Sequence, residues 1–98
     1  MLKTMLNLLR VSGYSLWPLY RDGDFVITGG TLLAGQIKPG DIIVFRQPDY
    51  GIMIKQVQRL DRDGIFVIGT HERSADSREF GAISRQAVIG KVIWHIKR

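Results

Sequence analysis

The sequence predicts a mainly β fold: a small, coiled, barrel-like sheet with few or no helices. Segments of four to eight β-branched and aromatic residues recur along the chain, bounded by glycine, proline and aspartate, and this arrangement suits strands better than helices. A length of 98 residues, 45% hydrophobic and 23% charged, matches one soluble globular domain. We therefore expect residues 1–98 to form a single domain, with residues 1–10 as a short N-terminal apolar segment.

Five strands are predicted from these segments. The residues between 51–60 and 64–69 are Asp61-Arg62-Asp63-Gly64, and they predict a hairpin turn because Asp-Gly tolerates the positive φ angles of tight turns. We therefore expect these two strands to pair. The predicted strands are Asp24–Thr28, Asp41–Arg46, Gly51–Leu60, Gly64–Gly69 and Ala87–Lys97.

Two further turns share a pattern, since residues 21–24 and 38–41 each end in Gly-Asp and each precedes a predicted strand. Pro39 followed by Gly40 is typical of a type II turn. Residues 29–35 predict a loop, and residues 82–87 could hold one helical turn.

The N-terminal segment, residues 1–10, is too short to cross a bilayer, which takes about 20 apolar residues. It lacks the small-residue cleavage site of a secretory signal. We expect a short helix or strand that covers the core; the alternative is a peripheral amphipathic anchor.

The net charge of +5 comes from interspersed acidic and basic residues, which indicates a solvated surface. Such an excess could also attract nucleic acid or an anionic membrane. The absence of cysteine excludes disulfides, thiolate metal sites and cysteine nucleophiles. The two histidines, His71 and His95, have no metal-binding spacing, so we expect no metal and no cofactor. A Ser-His-Asp triad using His71 and Asp76 is possible only on paper.

Ser15 lies in a segment that suits the presentation of a reactive serine. Gly13 permits close approach of the backbone, and Pro18 fixes φ and removes a donor, so Ser15 is held in a tight irregular stretch. The alternative is an ordinary serine in a Gly/Pro loop. The segment reads Ser12-Gly13-Tyr14-Ser15-Leu16-Trp17-Pro18-Leu19.

Lys55 lies in a predicted apolar strand, where alternation puts it on one face with Met53 and Val57. Either that face is solvated or the lysine is desolvated. A free lysine, with a pKa near 10.4, is almost entirely charged at pH 7 and is useless as a base. An apolar pocket can lower a lysine pKa to about 7–8, and a neutral lysine beside a serine hydroxyl forms a nucleophile–base dyad.

The order of these motifs resembles the type I signal peptidases, Ser/Lys-dyad serine proteases related in fold to the self-cleaving repressor peptidases. The resemblance runs from about Val11 to Trp94, and its most specific part is Ser-Ala-Asp-Ser-Arg at 74–78. The matching motifs are Gly13-x-Ser15-Leu16-x-Pro18, Gly23-Asp24, Gly40-Asp41-Ile42-Ile43-Val44-Phe45, Ile54-Lys55, Gly69 with Ser74-Ala75-Asp76-Ser77-Arg78-x-x-Gly81, and Ile89-Gly90-Lys91-Val92.

The resemblance implies roles for individual residues where the positions match. Ser15 would be the nucleophile, with its backbone N–H as one oxyanion-hole donor. Lys55 would be the general base, and Ser74 would orient its nitrogen. Asp76 and Arg78 would form a supporting structural ion pair.

Some members supply a second oxyanion donor from a serine two residues before the nucleophile, where this chain has Gly13. Other departures are Leu16 for the usual Met, Leu19-Tyr20 for Thr-Leu, Gln56 for a basic residue, and Gly69-Thr70-His71 for Gly-Asp-Asn. Typical members carry one or two membrane anchors and a larger β insertion, and we expect this chain to be a minimal member without them. In size it resembles small soluble proteases thought to trim the leader from nickel-type superoxide dismutase.

The resemblance therefore implies an endopeptidase that removes a leader or propeptide. We expect its protein substrate to bind in extended form near residues 11–15 and 51–55, with no nucleic acid and at most peripheral membrane contact. The expected location is the cytoplasm or a membrane periphery. One alternative is a non-catalytic peptide-binding domain. Another is a basic β-barrel that binds single-stranded nucleic acid through Tyr14, Trp17 and Tyr20.

Overall fold

The computed structural model describes residues 5–13, 16–69 and 75–97, and these form one antiparallel sheet of six strands. The order across the sheet is β1-β2-β6-β3-β4-β5, so the last strand along the chain lies in the middle of the sheet. The predicted mainly β fold is confirmed. The strands are β1 (Leu6–Arg10), β2 (Phe25–Gly29), β3 (Ile42–Gln47), β4 (Gly51–Asp61), β5 (Gly64–Ile68) and β6 (Val88–Ile96).

All five predicted strands are present, with ends that differ by about one residue. The predicted hairpin is confirmed as well, because Asp61 and Gly64 are register partners that join β4 to β5. The positive φ of this turn falls on Gly64, at +132°. The N-terminal segment provides the sixth strand, β1, at the edge of the sheet.

The two predicted Gly-Asp turns, 21–24 and 38–41, have the same construction. Their glycines have φ of +91° and +94°. In each turn the aspartate N–H donates to the carbonyl of the first residue, at 3.0 Å and 3.1 Å. Each aspartate carboxylate in turn accepts from the N–H of that first residue, at 3.0 Å and 2.7 Å. The side chain thus fixes the turn from which the next strand, β2 or β3, begins.

Three short helical elements lie outside the sheet in the described residues: α1 (Thr31–Ala34), α2 (Ser77–Phe80) and a 3-10 turn at Arg85–Ala87. The 3-10 turn lies within the segment predicted to hold one. The prediction of a loop over 29–35 is wrong, since α1 occupies its centre, and α2 was not predicted. A four-residue helix is too short to show helical periodicity in a sequence. None of the described helices is long and apolar enough to span a membrane.

The hydrophobic core packs against one face of the curled sheet. Register shifts at 27–28 on β2, 44–45 on β3 and 57–59 on β4 mark irregularities in the pairing. Bulges of this kind bend strands and increase their twist. The core residues are Ile37, Ile43, Phe45, Val57, Ile65, Val67, Ile83 and Val88.

The outer face of β1, β2 and β6 remains apolar and exposed. Leu8, Ile27 and Trp94 form one cross-strand row, and Leu8 and Trp94 are 63% and 64% exposed. Phe25 and Ile96 form the next row and are also exposed. The N-terminal segment therefore contains a strand, which is one of the two forms predicted for it. Its leucines Leu6 and Leu8 are exposed and do not cover the core.

Candidate active site

A groove of about 450 Å³ runs between the end of β1 and the start of β4. Residues 9–13 form one wall and residues 50–55 form the other, while Val26 and Val44 lie between them. Lys55 is therefore in the same groove as Ser12 and Gly13, although more than forty positions separate them in the sequence. These are the two segments beside which an extended peptide was predicted to bind.

Lys55 is withdrawn from solvent, with 2% of its surface exposed. Its register partner on β3 is Ile43, which is fully buried, and Val57 on the same face of β4 is 2% exposed. Of the two alternatives for this lysine, the structure therefore has the desolvated one. Burial lowers the pKa of Lys55; the charge of Asp76 opposes this effect and the charge of Arg78 adds to it.

No carboxylate in the described residues forms an ion pair with Lys55. A buried amine without such a partner is destabilised as the ammonium and favoured as the neutral base. The environment of Lys55 therefore favours the neutral amine, the form that can accept a proton.

Gly13 lies in the groove wall with φ of +87°, a conformation that favours glycine. Its N–H donates to Asp22 Oδ1 at 2.8 Å, so this donor is already engaged and does not point freely into the groove. The loop is further tied down because Val11 donates to the Asp24 carbonyl, at 2.7 Å. The predicted nucleophile Ser15 and the predicted lysine-orienting Ser74 lie outside the described residues.

Asp76 and Arg78 form the ion pair that the resemblance implied. The carboxylate of Asp76 is bound by both Arg78 Nε, at 3.0 Å, and Arg78 Nη2, at 2.8 Å. It also accepts from the backbone N–H of Gly69 and of Arg78. Burial alone would raise the pKa of Asp76, but these hydrogen bonds outweigh it and hold the pKa below its ordinary value.

Ser77 has a role that sequence reasoning missed. Its Oγ accepts from the N–H of Val67 at 2.8 Å, while Asp76 accepts from Gly69 two residues further along. Val67 lies in β5, the terminal strand of the sheet, and Gly69 directly follows it. Asp76 and Ser77 thus satisfy backbone donors at that edge. The spacing Asp76-x-x-Glu79, an acceptor three residues before Glu, was the available signal for the N-terminus of α2.

Tyr50 lies at one end of the groove, and a hydrogen bond to Glu79 raises the pKa of its hydroxyl. Its ring lies 5.9 Å from that of Phe80. On the other side of Phe80 is a second concavity of about 550 Å³, bounded by residues 46–48 and 82–89. None of the predicted site residues that the structure describes lines this concavity, whereas Gly13 and Lys55 line the groove, so the groove is the better candidate site.

His95 and Tyr20 support the turn that precedes β2. His95 Nε2 lies 2.7 Å from Asp24 Oδ2, and its ring stacks on Tyr20 with 4.1 Å between centroids. One face of Tyr20 is therefore covered, and Trp17 is exposed. Tyr14, the third aromatic residue of the nucleic-acid alternative, lies outside the described residues. The described residues contain no cluster of three or more metal-ligating side chains.

Comparison with protein families matches residues 2–93 to the model described as Peptidase S24-like. The chain belongs to this family. The match to the Peptidase S24-like family covers both walls of the groove and the Asp76–Arg78 pair, and it supports a serine-peptidase kind of protein. The family also includes non-catalytic members. Comparison with curated proteins gives no significant match, and comparison with solved structures gives none either.

Proposed function

We propose that the chain is a serine endopeptidase that uses a Ser15/Lys55 dyad to remove a leader or propeptide from a protein substrate. The observation that carries this proposal is the buried Lys55 in a groove shared with Ser12 and Gly13, which precede Ser15 by three and two positions. The membership in the Peptidase S24-like family supports it.

The reaction begins with the transfer of the Ser15 hydroxyl proton to the neutral Nζ of Lys55. Ser15 Oγ attacks the carbonyl carbon of the scissile peptide bond, and the tetrahedral intermediate collapses to an acyl-enzyme. The leaving amine takes the proton from Lys55. Water then gives a proton to the same nitrogen and attacks the ester, and the acid product leaves as Ser15 regains its hydrogen.

The groove suits a peptide in extended form. β1 is the terminal strand of the sheet, so its outward edge can add a further strand. The groove walls are mostly apolar, with Leu9, Val11, Ile52 and Ile54 among the lining residues. Main-chain hydrogen bonds would supply affinity, and alternate side chains of the peptide would enter the groove.

The decisive experiment measures acylation of Ser15 by a penem or a similar acylating probe with intact-mass spectrometry. Wild type and Ser84→Ala should form a single adduct. Ser15→Ala should form none, and Lys55→Ala should form it about 10² to 10⁴ times more slowly, because a general base contributes about that factor. Ser84 is an exposed serine of the second concavity and serves as the matched control.

An unchanged adduct rate in Lys55→Ala would contradict the dyad. A wild-type protein that binds peptides but forms no adduct would support the non-catalytic peptide-binding alternative instead. For the substrate, leader peptides are incubated with wild type and Ser15→Ala and examined by mass spectrometry. The leader of a nickel-type superoxide dismutase precursor is the first to test, and cleavage by wild type alone would support it.

A further inference from the structure

The Asp76 carboxylate is held at β5, the strand that neighbours the strand of Lys55. Ile68 on β5 is the register partner of Gln56, so Gly69 is the next residue along, level with Lys55. The N–H of Gly69 donates to Asp76 Oδ2 at 3.1 Å. A carboxylate that is only 1% exposed is thus fixed at β5, level with a lysine on β4 that is only 2% exposed, and its charge acts on the amine of that lysine.

A buried carboxylate in this place would normally attract a proton to the lysine. The two groups would then form an ammonium–carboxylate pair, and the amine would be lost as a base. In this structure the carboxylate is bound by both Arg78 Nε and Arg78 Nη2, a bidentate arrangement that satisfies its charge. The Arg78 side chain is 59% exposed, so its charge remains partly hydrated.

We propose that Arg78 is a positioning residue that keeps Lys55 uncharged by neutralising Asp76, and that Asp76 offsets the effect of the Arg78 charge on the same amine. This inference rests on the proposed role of Lys55 as a base. The pair does more than hold α2 against β5: it sets the charge balance at the candidate base.

Among the residues that the structure describes, the other charged groups near Lys55 do not change this balance. From α2, Glu79 is engaged with the Tyr50 hydroxyl. On the opposite wall of the groove lies Arg10, which is exposed to solvent, so that water screens its charge. On β3 the register partner of Lys55 is apolar.

The test is a double-mutant cycle on the charges of Asp76 and Arg78, with the protein labelled with ¹³Cε-lysine. The NMR signal of Lys55 is assigned by its loss in Lys55→Met. Its chemical shift is then followed as a function of pH, and the midpoint of the titration is compared between variants. Arg78→Gln leaves the Asp76 charge uncompensated and should raise the midpoint by about one pH unit. Asp76→Asn leaves the Arg78 charge uncompensated and should lower it. The double variant should return to within about 0.3 units of wild type.

The opposite signs separate this role from a purely structural one. A pair that only held the fold together would lower the melting temperature in both single variants without opposing shifts of the midpoint. Arg78→Lys keeps the charge but loses the bidentate geometry, so its Lys55 midpoint should stay near that of wild type. This variant replaces Arg78→Gln in the test if Arg78→Gln fails to fold. Shifts in the same direction, or none, would overturn the proposal.

A matched control is the Arg59–Asp61 pair, which also spans two positions and lies at the β4–β5 hairpin. Arg59→Gln and Asp61→Asn should leave the Lys55 midpoint unchanged. The acylation rate is measured on the same variants. Opposing NMR shifts without any acylation of wild type would support the proposed charge balance and contradict the proposed peptidase activity. Acylation without opposing shifts would support the peptidase activity and contradict the charge balance.

Discussion

Lys55 on β4 and Lys91 on β6 are two lysines withdrawn from solvent in the same sheet, and they differ in what faces the amine. Lys91 Nζ lies 2.9 Å from Asp41 Oδ2 and donates to the Gln36 carbonyl at 3.0 Å. Its side chain is 12% exposed. Lys55 is more deeply buried, and the carboxylate nearest to it in the sheet register is already bound by Arg78.

This contrast shows that burial alone does not decide the charge of a lysine. An amine that meets a carboxylate not paired with another cation is favoured as the ammonium, and the two groups form a structural ion pair. An amine whose neighbouring carboxylate is already neutralised by another cation has only the free-energy cost of burying a charge, so its pKa is lowered. The first arrangement fixes the turn at 38–41 to β6, and the second leaves a lysine with a lowered pKa in a groove.

The largest expected effect separates the two lysines by activity. Lys55→Met should lower the acylation rate and any peptide cleavage by about 10² to 10⁴. Lys91→Met should remain within about twofold of wild type at a temperature where both variants are folded, because Lys91 does not line the groove. Equal losses in both variants would show that the comparison does not distinguish a base from an ion pair. Circular dichroism controls for folding.

The second-largest effect concerns the pH dependence of stability, which should differ between the two lysines. Because the pKa of Lys55 is lowered in the folded state, the unfolded chain binds more protons, and stability rises with pH between the lowered value and about 10.4. Each unit of the shift corresponds to about 1.4 kcal/mol. Lys55→Met should therefore be more stable than wild type at the acid end of that window, with the difference vanishing towards its alkaline end.

Urea unfolding at several pH values measures this difference. Lys91→Met is the control for it, since Lys55 is intact there and the variant should keep the wild-type slope with pH. A constant difference between Lys55→Met and wild type over the whole window would mean that Lys55 is charged when folded.

A smaller effect concerns stability at one pH. Lys91→Met leaves the Asp41 carboxylate, whose side chain is only 20% exposed, and the Gln36 carbonyl without the amine that both of them meet. Removing a hydrogen-bond partner from a charged, partly buried group costs about 1 to 3 kcal/mol. We expect a decrease of that size in the free energy of unfolding, measured by urea titration at neutral pH. A variant as stable as wild type would show that the Lys91–Asp41 ion pair does not stabilise the fold.

The sequence predicted much of the fold because strands and turns carry local signals. β-branched segments predicted the strands, and the Gly-Asp pairs at 21–24 and 38–41 predicted where β2 and β3 begin. The ion pairs at those same turns could not be predicted. Asp24 meets His95 and Asp41 meets Lys91 only because β6 lies between β2 and β3, an order that local patterns do not contain.

The candidate site divides in the same way. Alternation placed Lys55 on one face with Val57 but left open whether that face was solvated, since this depends on Ile43 from another strand. The resemblance supplied the pairing of Asp76 with Arg78. The use of the Gly13 N–H by Asp22 escaped prediction because it joins two loops through a side chain.

The smallest expected effect tests whether Lys91 and Asp41 act as one unit. Asp41→Asn should cost about 1 kcal/mol, less than Lys91→Met, because the amide oxygen can still accept from the Lys38 N–H and Lys91 keeps the Gln36 carbonyl. In the double variant the ion pair can be lost only once, so its cost should be smaller than the sum of the two single costs. Urea unfolding of the four proteins gives the coupling. Strict additivity would show that the 2.9 Å contact contributes nothing, and the contrast with Lys55 would then rest on burial alone.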